Sequence, residues 1–439
     1  MIRRLDAAAA GVAEVVRALH RPPGSIPADV HRAVEEILAA VRARGDAAVL
    51  EYSARFDGVT CDAAGLAISD AEWTSAERQV PEATRAALAY AAARIERYHK
   101  EAALRSWRMV DEGGTVLGQE VRPLDRVGIY VPGGRAVYPS TVLMTAVPAR
   151  VAGVGEIVLV TPPGPGGVVA PVVLAAARIA GVTEAYRIGG AQAVAALAYG
   201  TATIRRVDKI VGPGNVYVAL AKARVFGEVG IDMLAGPSEV VVIADASADP
   251  SWVAADLLAQ AEHDPMARAI LISDAPSLLA GVAVEIERQL ATLPRREIAA
   301  ESLRIHGALV RVADLSQAVE LANALAPEHL ELQTGDPERL LPSVRHAGAI
   351  FLGRYTPEVL GDYVAGPSHV LPTGGTARFS SVLGTEDFVK RSSVLGFSPR
   401  GLAAALPHVR ALAAIEGLEG HAAAAAVRAA APEHQEEAR

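Results

Sequence analysis

The sequence contains a single cysteine, Cys61, among 439 residues. A lone thiol excludes disulfides within the chain and any zinc site built from several thiolates. Cys61 lies in the polar, turn-rich segment 56–65, where an isolated cysteine is more typical of an incidental residue than of a nucleophile. We therefore expect the chemistry of this protein to depend on nitrogen and oxygen groups.

Two further absences narrow the class of protein. The net charge is −8 and no basic stripe is present, which argues against a nucleic-acid surface. No run approaches the roughly 18 uncharged apolar residues that span a bilayer, and Asp6 and Glu14 interrupt any apolar signal-peptide core. We expect a cytoplasmic protein with neither a nucleic-acid partner nor a membrane partner.

The segment 127–238 has a regular pattern. Four times, a short apolar strand is followed by glycines and then by a helix, which predicts parallel strands with helices on both faces. The glycines fall at the carboxyl edge of that sheet, where such folds bind ligands. The dinucleotide fingerprint G-x-G-x-x-G is missing, and tight turns alone would also explain the glycines. A nucleotide site and simple turn formation both remain open.

A second α/β pattern surrounds this block, and the chain is too long for one ordinary core. We predict an α/β fold with two Rossmann-like, doubly wound parallel-sheet domains and small helical N- and C-terminal segments. The expected parts are an N-terminal helical segment at 1–25, a discontinuous α/β domain at 26–126 and 239–383, an inserted domain at 127–238, and a C-terminal tail at 384–439. Because the tail shows no apolar core of its own, we expect it to pack on another surface, such as a partner subunit.

The stretch 260–265 contains a candidate for half of a metal site. The residues before it predict a helix that continues until Pro265 stops it. On a helix, Gln260 and His263 would share a face, because they are three residues apart. An amide oxygen and an imidazole nitrogen that point the same way suit an N/O metal site. A polar helix end explains the same residues more simply when the stretch is considered alone.

Glu328 and His329 form an acid–base pair at 326–331. Such a pair suits general acid/base catalysis. Adjacent residues on a regular strand face opposite ways, so a shared site requires irregular backbone, for which Pro327 provides a reason. The same tetrapeptide recurs at 431–434 in the tail, which makes the short motif weak by itself.

Two other histidines lie beside acidic residues. His369 shares a glycine-containing loop with Asp362, and His421 follows Glu416 just before a predicted helix. Taken singly, each of these histidines is explained equally well as a solvated loop residue or as part of a site.

Seven sequence blocks occur in one order from about residue 130 to residue 421. They are 130–140, 189–193, 207–215, 260–265, 326–331, 361–373 and 416–421. Together they resemble the histidinol dehydrogenase family and cover most of the chain. The resemblance implies a zinc-dependent, NAD-linked four-electron oxidation of L-histidinol to L-histidine through the aldehyde, at the end of histidine biosynthesis. It also implies a homodimer with one zinc ion per subunit.

The resemblance assigns roles to individual residues. The implied zinc ligands are Gln260, His263, Asp362 and His421, of which His421 is supplied by the partner subunit. The implied catalytic pair is Glu328 and His329. The substrate contacts are Ser238, Gln260, His263, His329, Asp362, His369, Glu416 and His421. The NAD contacts are Tyr130, Gln192 and Asn215. The family also lacks G-x-G-x-x-G, so that absence does not contradict the resemblance.

The residue types agree with this chemistry. Oxidation of the alcohol requires a base for the hydroxyl proton, a role that His329 can fill. Oxidation of the aldehyde requires a nucleophile, and Cys61 is badly placed to form a thiohemiacetal. We therefore expect Glu328 to activate a water molecule, which gives a gem-diol before the second hydride transfer.

Two other functions remain open from the sequence. A metal-dependent hydrolase could use the same residues around a zinc-bound water, without any dependence on a nicotinamide. A non-catalytic binding protein would tolerate the loss of Glu328 and His329. Neither alternative accounts for the order of all seven blocks.

Overall fold

A computed structural model describes residues 2–19, 26–133 and 137–429. Parts of the predicted N-terminal segment (1 and 20–25), of the block 130–140 (134–136) and of the tail (430–439) lie outside the described residues. The chain divides into two compact units, one formed by 1–102 with 124–388 and the other by 103–123 with 389–439. Among the described residues, no helix is both long and apolar enough to cross a bilayer.

The described residues form strands and helices in the following order. The strands are β1 Arg3–Asp6, β2 Trp107–Val110, β3 Val116–Pro123, β4 Arg126–Tyr130, β5 Glu156–Val160, β6 Glu184–Tyr186, β7 Lys209–Val211, β8 Gly230–Ile231, β9 Glu239–Ala244, β10 Arg268–Ser273, β11 Ala308–Arg311, β12 His329–Gln333, β13 Ala349–Leu352 and β14 Val389–Gly396. The helices are α1 Ala7–Ala10, α2 Val12–Leu19, α3 Ala28–Arg44, α4 Asp46–Tyr52, α5 Asp70–Gln79, α6 Glu82–Ala102, α7 Pro139–Ala152, α8 Pro171–Ala180, α9 Gly190–Tyr199, α10 Val216–Val225, α11 Pro250–Ala261, α12 Pro276–Leu290, α13 Arg296–Ile305, α14 Leu315–Leu325, α15 Pro337–Leu340, α16 Glu358–Tyr363, α17 Pro399–Ile415 and α18 Glu419–Ala429.

The segment 127–238 forms a five-stranded parallel sheet in the order β6-β5-β4-β7-β8. Its central strand β4 is buried along its whole length, as expected for a parallel strand covered on both faces. Helices α7 and α8 contribute to the core on one face, and α9 and α10 to the core on the other. The predicted doubly wound arrangement is confirmed for this segment.

The helices between 28 and 102 pack on this first sheet. The buried stripe Val30, Val34, Ile37 and Val41 of α3 joins the core that contains α9, and α5 and α6 join the core that contains α7 and α8. These helices therefore join the cores on the two faces of the first sheet, and the predicted domain that combines 26–126 with 239–383 stays a prediction. An amphipathic helix shows which of its faces is buried, but its sequence does not show which sheet covers that face.

The second sheet is also parallel and has six strands in the order β1-β11-β10-β9-β12-β13. Helices α11, α12 and α13 cover one face, and α1, α2 and α14 cover the other. Residues Arg3–Asp6, expected to belong to a helical segment, form the edge strand β1 beside β11. The predicted fold class, with two doubly wound parallel sheets, is confirmed.

The second unit contains a three-stranded antiparallel sheet in the order β14-β3-β2, followed by helices α17 and α18. Asp111 shapes the β2–β3 turn, because its carboxylate accepts hydrogen bonds from the N–H groups of Gly113 and Thr115. Strand β14 pairs with β3 over eight residues. The tail predicted from 384 onward therefore contains a strand near its start, which pairs with a segment more than 250 positions earlier in the chain.

Candidate active site

The catalytic candidates lie at the amino edge of the second sheet. Ser238 directly precedes β9, and Glu328 directly precedes β12, the strand next to it in the sheet. Helices α11 and α14 end at this same edge, because each helix runs antiparallel to the strands that flank it in the sequence. The site therefore collects strand beginnings and helix ends, unlike the carboxyl edge at which open α/β sheets commonly bind ligands.

Glu328 and His329 are brought together by irregular backbone, as predicted. Ala326 ends α14 with φ of 49°, a left-handed conformation, and Pro327 follows it. Both catalytic candidates then contact the backbone of Glu239: its N–H donates to Glu328 Oε2 at 2.8 Å, and its carbonyl oxygen lies 3.0 Å from His329 Nδ1. The distance of 3.8 Å between His329 Nδ1 and Glu328 Oε2 is too long for a hydrogen bond.

Glu239 is a fixed anchor for this pair. Its buried carboxylate forms an ion pair with Arg268 and also accepts the N–H of Gly374 at 3.1 Å. Because the side chain is held on two sides, the backbone of Glu239 is expected to hold Glu328 and His329 in constant positions.

The contact with Glu239 also sets the tautomer of His329. A carbonyl oxygen can only accept, so Nδ1 carries the proton and Nε2 keeps a free lone pair. Burial lowers the pKa of His329, and the nearby Asp362 carboxylate opposes that change. Burial raises the pKa of Glu328 well above its ordinary value, against the hydrogen bonds from the Glu239 N–H and the Ser238 hydroxyl. A neutral imidazole and a carboxyl of raised pKa are suited to proton transfer near neutral pH.

The pair Gln260 and His263 converges, although the helix is shorter than expected. Helix α11 ends at Ala261 and does not continue to Pro265. His263 follows in a turn, and its backbone N–H donates to the Gln260 carbonyl. Gln260 Nε2 lies 3.2 Å from His263 Nδ1. The turn, rather than a shared helix face, brings the two side chains together.

Asp362 and His369 join the same site. His369 Nδ1 donates to the backbone carbonyl of Asp362 at 3.0 Å, and its Nε2 lies 3.2 Å from the hydroxyl of Thr141. The charges of Asp362 and His263 act on both His329 and His369, which places these four side chains in one cluster. Thr141, which sequence reasoning missed, connects helix α7 of the first sheet to this cluster.

The side chains of this cluster fit a zinc ion in type. Gln260 is fully buried, yet its Oε1 has no hydrogen-bond partner among the described residues, a costly arrangement unless a ligand takes that oxygen. The His263 imidazole and the Asp362 carboxylate add nitrogen and oxygen donors. Within the described residues, no group of three or more His, Cys, Asp or Glu side chains is placed to hold a metal ion. Gln260, His263 and Asp362 do not form such a group, because glutamine is not one of these four residue types and only His263 and Asp362 are.

Sequence reasoning missed a row of buried carboxyl groups beside His329. Glu331 and Glu358 are almost completely buried, and Glu331 Oε1 accepts the backbone N–H of Glu358 at 2.8 Å. Gln333 Nε2 lies 2.7 Å from Glu331 Oε2 and 2.6 Å from Asp256 Oδ2. Burial raises the pKa of Asp256, Glu331 and Glu358. The charges of neighbouring acids raise it further at Glu331 and Glu358, whereas at Asp256 hydrogen bonding with Gln333 and Glu331 opposes the effect of burial. The available signal in the sequence was Glu331, an acid between two leucines in the middle of strand β12.

These carboxyl groups predict an unusual dependence of stability on pH. The ordinary pKa of Glu331 is 4.5, and burial raises it to about 8. Between these values the folded protein binds more protons than the unfolded chain, so the free energy of unfolding should fall as pH rises. We expect Glu331→Gln to remove a loss on the order of 5 kcal/mol across this range, because each pKa unit corresponds to about 1.4 kcal/mol. Denaturant unfolding at several pH values measures the effect, and equal pH slopes for the variant and the parent protein would contradict it.

The residues expected to contact NAD lie at the carboxyl edge of the first sheet. The Tyr130 hydroxyl accepts the N–H of Gly190 at 3.1 Å, and Gln192 Nε2 donates to Asp57 at 3.2 Å, so both side chains lie at the start of α9. Asn215 caps α10 and is exposed. Asp57, which also accepts the N–H of Gly189, was missed because it comes from a distant helical turn.

The geometry of the backbone requires one of the glycines at this edge, Gly212. Its φ is 107°, and a Cβ atom there would lie 2.1 Å from the carbonyl oxygen of Tyr130. No side chain can fit such an approach, so the turn between β7 and α10 requires glycine at this position.

Glu416 and His421 belong to the second unit. Glu416 follows α17, His421 lies in α18, and both are exposed. Their assigned roles toward substrate and zinc therefore remain predictions.

Comparisons with known proteins agree on one family. A family model described as histidinol dehydrogenase matches residues 21–429. The chain is 55% identical to histidinol dehydrogenase of Cupriavidus pinatubonensis, covering 97% of each chain, and 57% identical to that of Rhizobium meliloti, covering 91% of this chain and 92% of the relative. The crystal structure of histidinol dehydrogenase from Elizabethkingia anophelis superposes with a TM-score of 0.93 at 34% identity, covering 97% of this chain and 98% of the other.

Proposed function

Because the chain belongs to the histidinol dehydrogenase family, we propose that it oxidises L-histidinol to L-histidine in two NAD-linked steps and uses one zinc ion per subunit. The observation that supports this proposal most directly is the position of His329. Its Nδ1 is engaged by the Glu239 carbonyl, so the lone pair of Nε2 stays free, and the charges of Asp362 and His263 act on the ring. A histidine biosynthetic enzyme of this kind is expected in the cytoplasm.

His329 acts as the base in the alcohol step. Its Nε2 takes the hydroxyl proton of histidinol while a hydride leaves the carbon for NAD. The low-polarity surroundings keep the imidazole neutral before the reaction, because burial lowers its pKa. The aldehyde formed in this step stays in the site for the second oxidation.

Glu328 acts in the aldehyde step. Its carboxylate removes a proton from water as the water oxygen adds to the aldehyde carbon, and the carbonyl oxygen receives the proton that His329 took in the alcohol step, which gives a gem-diol. His329 would then take a hydroxyl proton of the gem-diol while the second hydride leaves for a second NAD. Thiol chemistry is not needed, since Cys61 packs beside the core of the first sheet and burial raises its pKa. The Glu239 N–H holds the carboxylate of Glu328 in place throughout.

The proposed zinc ligands are Gln260, His263 and Asp362, together with His421 of the partner subunit. When bound, zinc would hold the imidazole and amine of histidinol and so orient its hydroxymethyl group. The partnerless Oε1 of Gln260 supports this ligand set. Ser238, His369 and the partner subunit's Glu416 would complete the substrate contacts.

The proposed NAD contacts are Tyr130, Gln192 and Asn215. Burial raises the pKa of Tyr130 to about 12, so its hydroxyl stays neutral and remains tied to the start of α9. Asn215 is exposed at the start of α10, where free N–H groups of a helix favour phosphate.

Stoichiometry and metal dependence test this proposal together. We expect two NADH per L-histidinol, with activity lost on chelation and recovered when zinc is restored. Absorbance at the NADH band, with the amount of L-histidine measured by chromatography, follows both products.

Other outcomes would change the assignment. One NADH per substrate would show that the reaction stops at the aldehyde, as in an alcohol dehydrogenase, and would remove the proposed role of Glu328. No NADH from the zinc-loaded protein, with hydrolysis of an amide or ester substrate, would favour the metal-dependent hydrolase.

A further inference from the structure

A buried ion pair holds the turn that leads from β7 into α10. Lys222 on α10 and Asp232, directly after β8, form this pair, and their side chains are only 3% and 1% exposed. Each charged group also binds the backbone of Gly212. Lys222 Nζ donates to the Gly212 carbonyl at 2.9 Å, and Asp232 Oδ2 accepts the Gly212 N–H at 2.7 Å. The two side chains therefore hold one glycine on both of its backbone hydrogen-bonding groups.

The held turn lies between two of the residues that are proposed to contact NAD. On one side, the backbone of Gly212 passes so close to β4 that a Cβ atom there would lie 2.1 Å from the Tyr130 carbonyl oxygen. On the other side, the chain reaches Asn215 three residues later, whose side chain caps the start of α10. A shift of Gly212 would therefore move the backbone beside Tyr130 and the start of α10 together.

Stability alone does not explain a buried Lys–Asp pair at this place. Removal of two charges from water costs free energy, and apolar side chains of similar volume often stabilise a fold equally well. Helix α10 already buries apolar residues against this sheet, namely Val218, Leu220, Ala221 and Val225. Apolar side chains could not, however, supply the donor and the acceptor that the Gly212 backbone requires. The pair is thus suited to fixing the position of the turn.

We propose that Lys222 and Asp232 are positioning residues for the dinucleotide. They hold the Gly212 turn so that Asn215 and the start of α10 meet the pyrophosphate of NAD. This inference rests on the proposed function, in which Tyr130, Gln192 and Asn215 contact NAD. The two opposite charges are paired and buried, so they act through the geometry of the turn and do not themselves touch the phosphates.

Two double substitutions release the turn in steps. Lys222→Met with Asp232→Asn removes the ammonium donor but keeps a side-chain oxygen that can accept the Gly212 N–H. Lys222→Met with Asp232→Leu removes both partners of Gly212. Both members of the pair are changed together because a single buried charge without its partner would destabilise the fold by itself.

A second Lys–Asp pair on the same sheet provides the matched control. Lys209, at the start of β7, lies 2.9 Å from an Asp387 carboxylate oxygen and also donates to the Asp387 carbonyl at 2.8 Å. The other Asp387 carboxylate oxygen accepts a glycine N–H, that of Gly384, at 3.0 Å. This pair has the same kinds of contacts but lies at the amino edge of the sheet. The control variants are Lys209→Met with Asp387→Asn and Lys209→Met with Asp387→Leu.

The expected result is weaker use of NAD at a nearly constant turnover rate. KM for NAD should rise about 3- to 10-fold in the Met/Asn variant at 222 and 232 and about 10- to 100-fold in the Met/Leu variant, since a misplacement of about 1 Å can cost up to about 100-fold. The values of kcat and of KM for L-histidinol should stay within about threefold, as expected when only uniform binding is lost. Isothermal titration calorimetry of NAD with the zinc-loaded protein should show the same loss of affinity without turnover.

Inhibition by fragments of NAD tests whether the effect lies at the pyrophosphate. ADP-ribose contains the pyrophosphate, whereas adenosine contains no phosphate. The inhibition constant of ADP-ribose against NAD should rise by the same factor as KM for NAD, and that of adenosine should not change. A general loosening of the fold would raise both inhibition constants together with KM for L-histidinol. The control variants should stay within about twofold of the parent protein in all of these constants.

Four outcomes would overturn this inference. If the folded Met/Asn and Met/Leu variants bind NAD as the parent protein does, the pair does not position the turn for NAD. If ADP-ribose and adenosine are weakened equally, the pair supports the whole domain and not the pyrophosphate contact. If neither variant folds, as judged by circular dichroism, while the control variants fold, the pair is structural. If the parent protein binds no NAD and forms no NADH, the proposed function fails and this inference fails with it, whereas the first three outcomes leave the proposed function standing.

Discussion

Replacement of His329 by asparagine is expected to lower kcat for L-histidinol by about 10²–10⁴-fold, the range typical of a lost general base. Asparagine can still donate a hydrogen bond to the Glu239 carbonyl, so the local backbone should be preserved. What disappears is the lone pair on Nε2, without which the hydroxyl proton has no acceptor in the site. Steady-state NADH formation measures kcat, and equilibrium dialysis of histidinol measures binding, which should change little.

A matched control removes an imidazole elsewhere in the same unit. His346→Asn, between α15 and β13, should leave kcat within about twofold of the parent value, as expected for substitutions away from a site. An unchanged kcat in His329→Asn would assign the base to another residue, and Glu328 would then be the first to consider.

Glu328→Gln is expected to separate the two oxidation steps. The amide oxygen of glutamine can accept the N–H of Glu239 as the carboxylate does, but it cannot take a proton from water. The aldehyde step should therefore slow by about 10²–10³-fold, while the alcohol step slows by less. The yield should approach one NADH per histidinol, and histidinaldehyde should accumulate.

The two half-reactions can be followed separately. NADH formation from histidinaldehyde reports the second step alone, and a single turnover of histidinol with trapping of the aldehyde reports the first. Equal loss in both half-reactions would contradict a specific role of Glu328 in water activation. Glu338→Gln, at an exposed acid of α15, provides a carboxyl-to-amide control away from the site.

The regular part of the fold could be predicted from local sequence. In 127–238 the strands are short, glycines follow several of them, and the helices α7, α8 and α10 begin at a proline or after the capping residue Asn215. These signals depend on neighbours in the sequence, so they specify the first sheet well. The partners of 28–102 and the pairing of β14 with β3 depend on contacts between distant segments, and local patterns do not contain that information.

The site was predicted in part for the same reason. The polar side chains of the motif blocks were identified, and Gln260 and His263 do converge, but through a turn after Ala261. The role of Glu239 was not visible, because it acts on Glu328 and His329 through its backbone. Asp256 and Glu358 looked like ordinary acids of helices, and only the packing of α11 and α16 against β12 places them beside Glu331.

The choice of sheet edge has an electrostatic consequence. Helix ends carry partial charges, negative where a helix finishes and positive where it starts. At the amino edge of the second sheet, α11 and α14 finish, so that edge favours a metal cation and the ammonium group of an amino alcohol. At the carboxyl edge of the first sheet, α9 and α10 start, so that edge favours the anionic phosphates of a dinucleotide. One chain thus offers two regions of opposite polarity, and in the proposed reaction the cationic and anionic groups would not compete for the same helix ends.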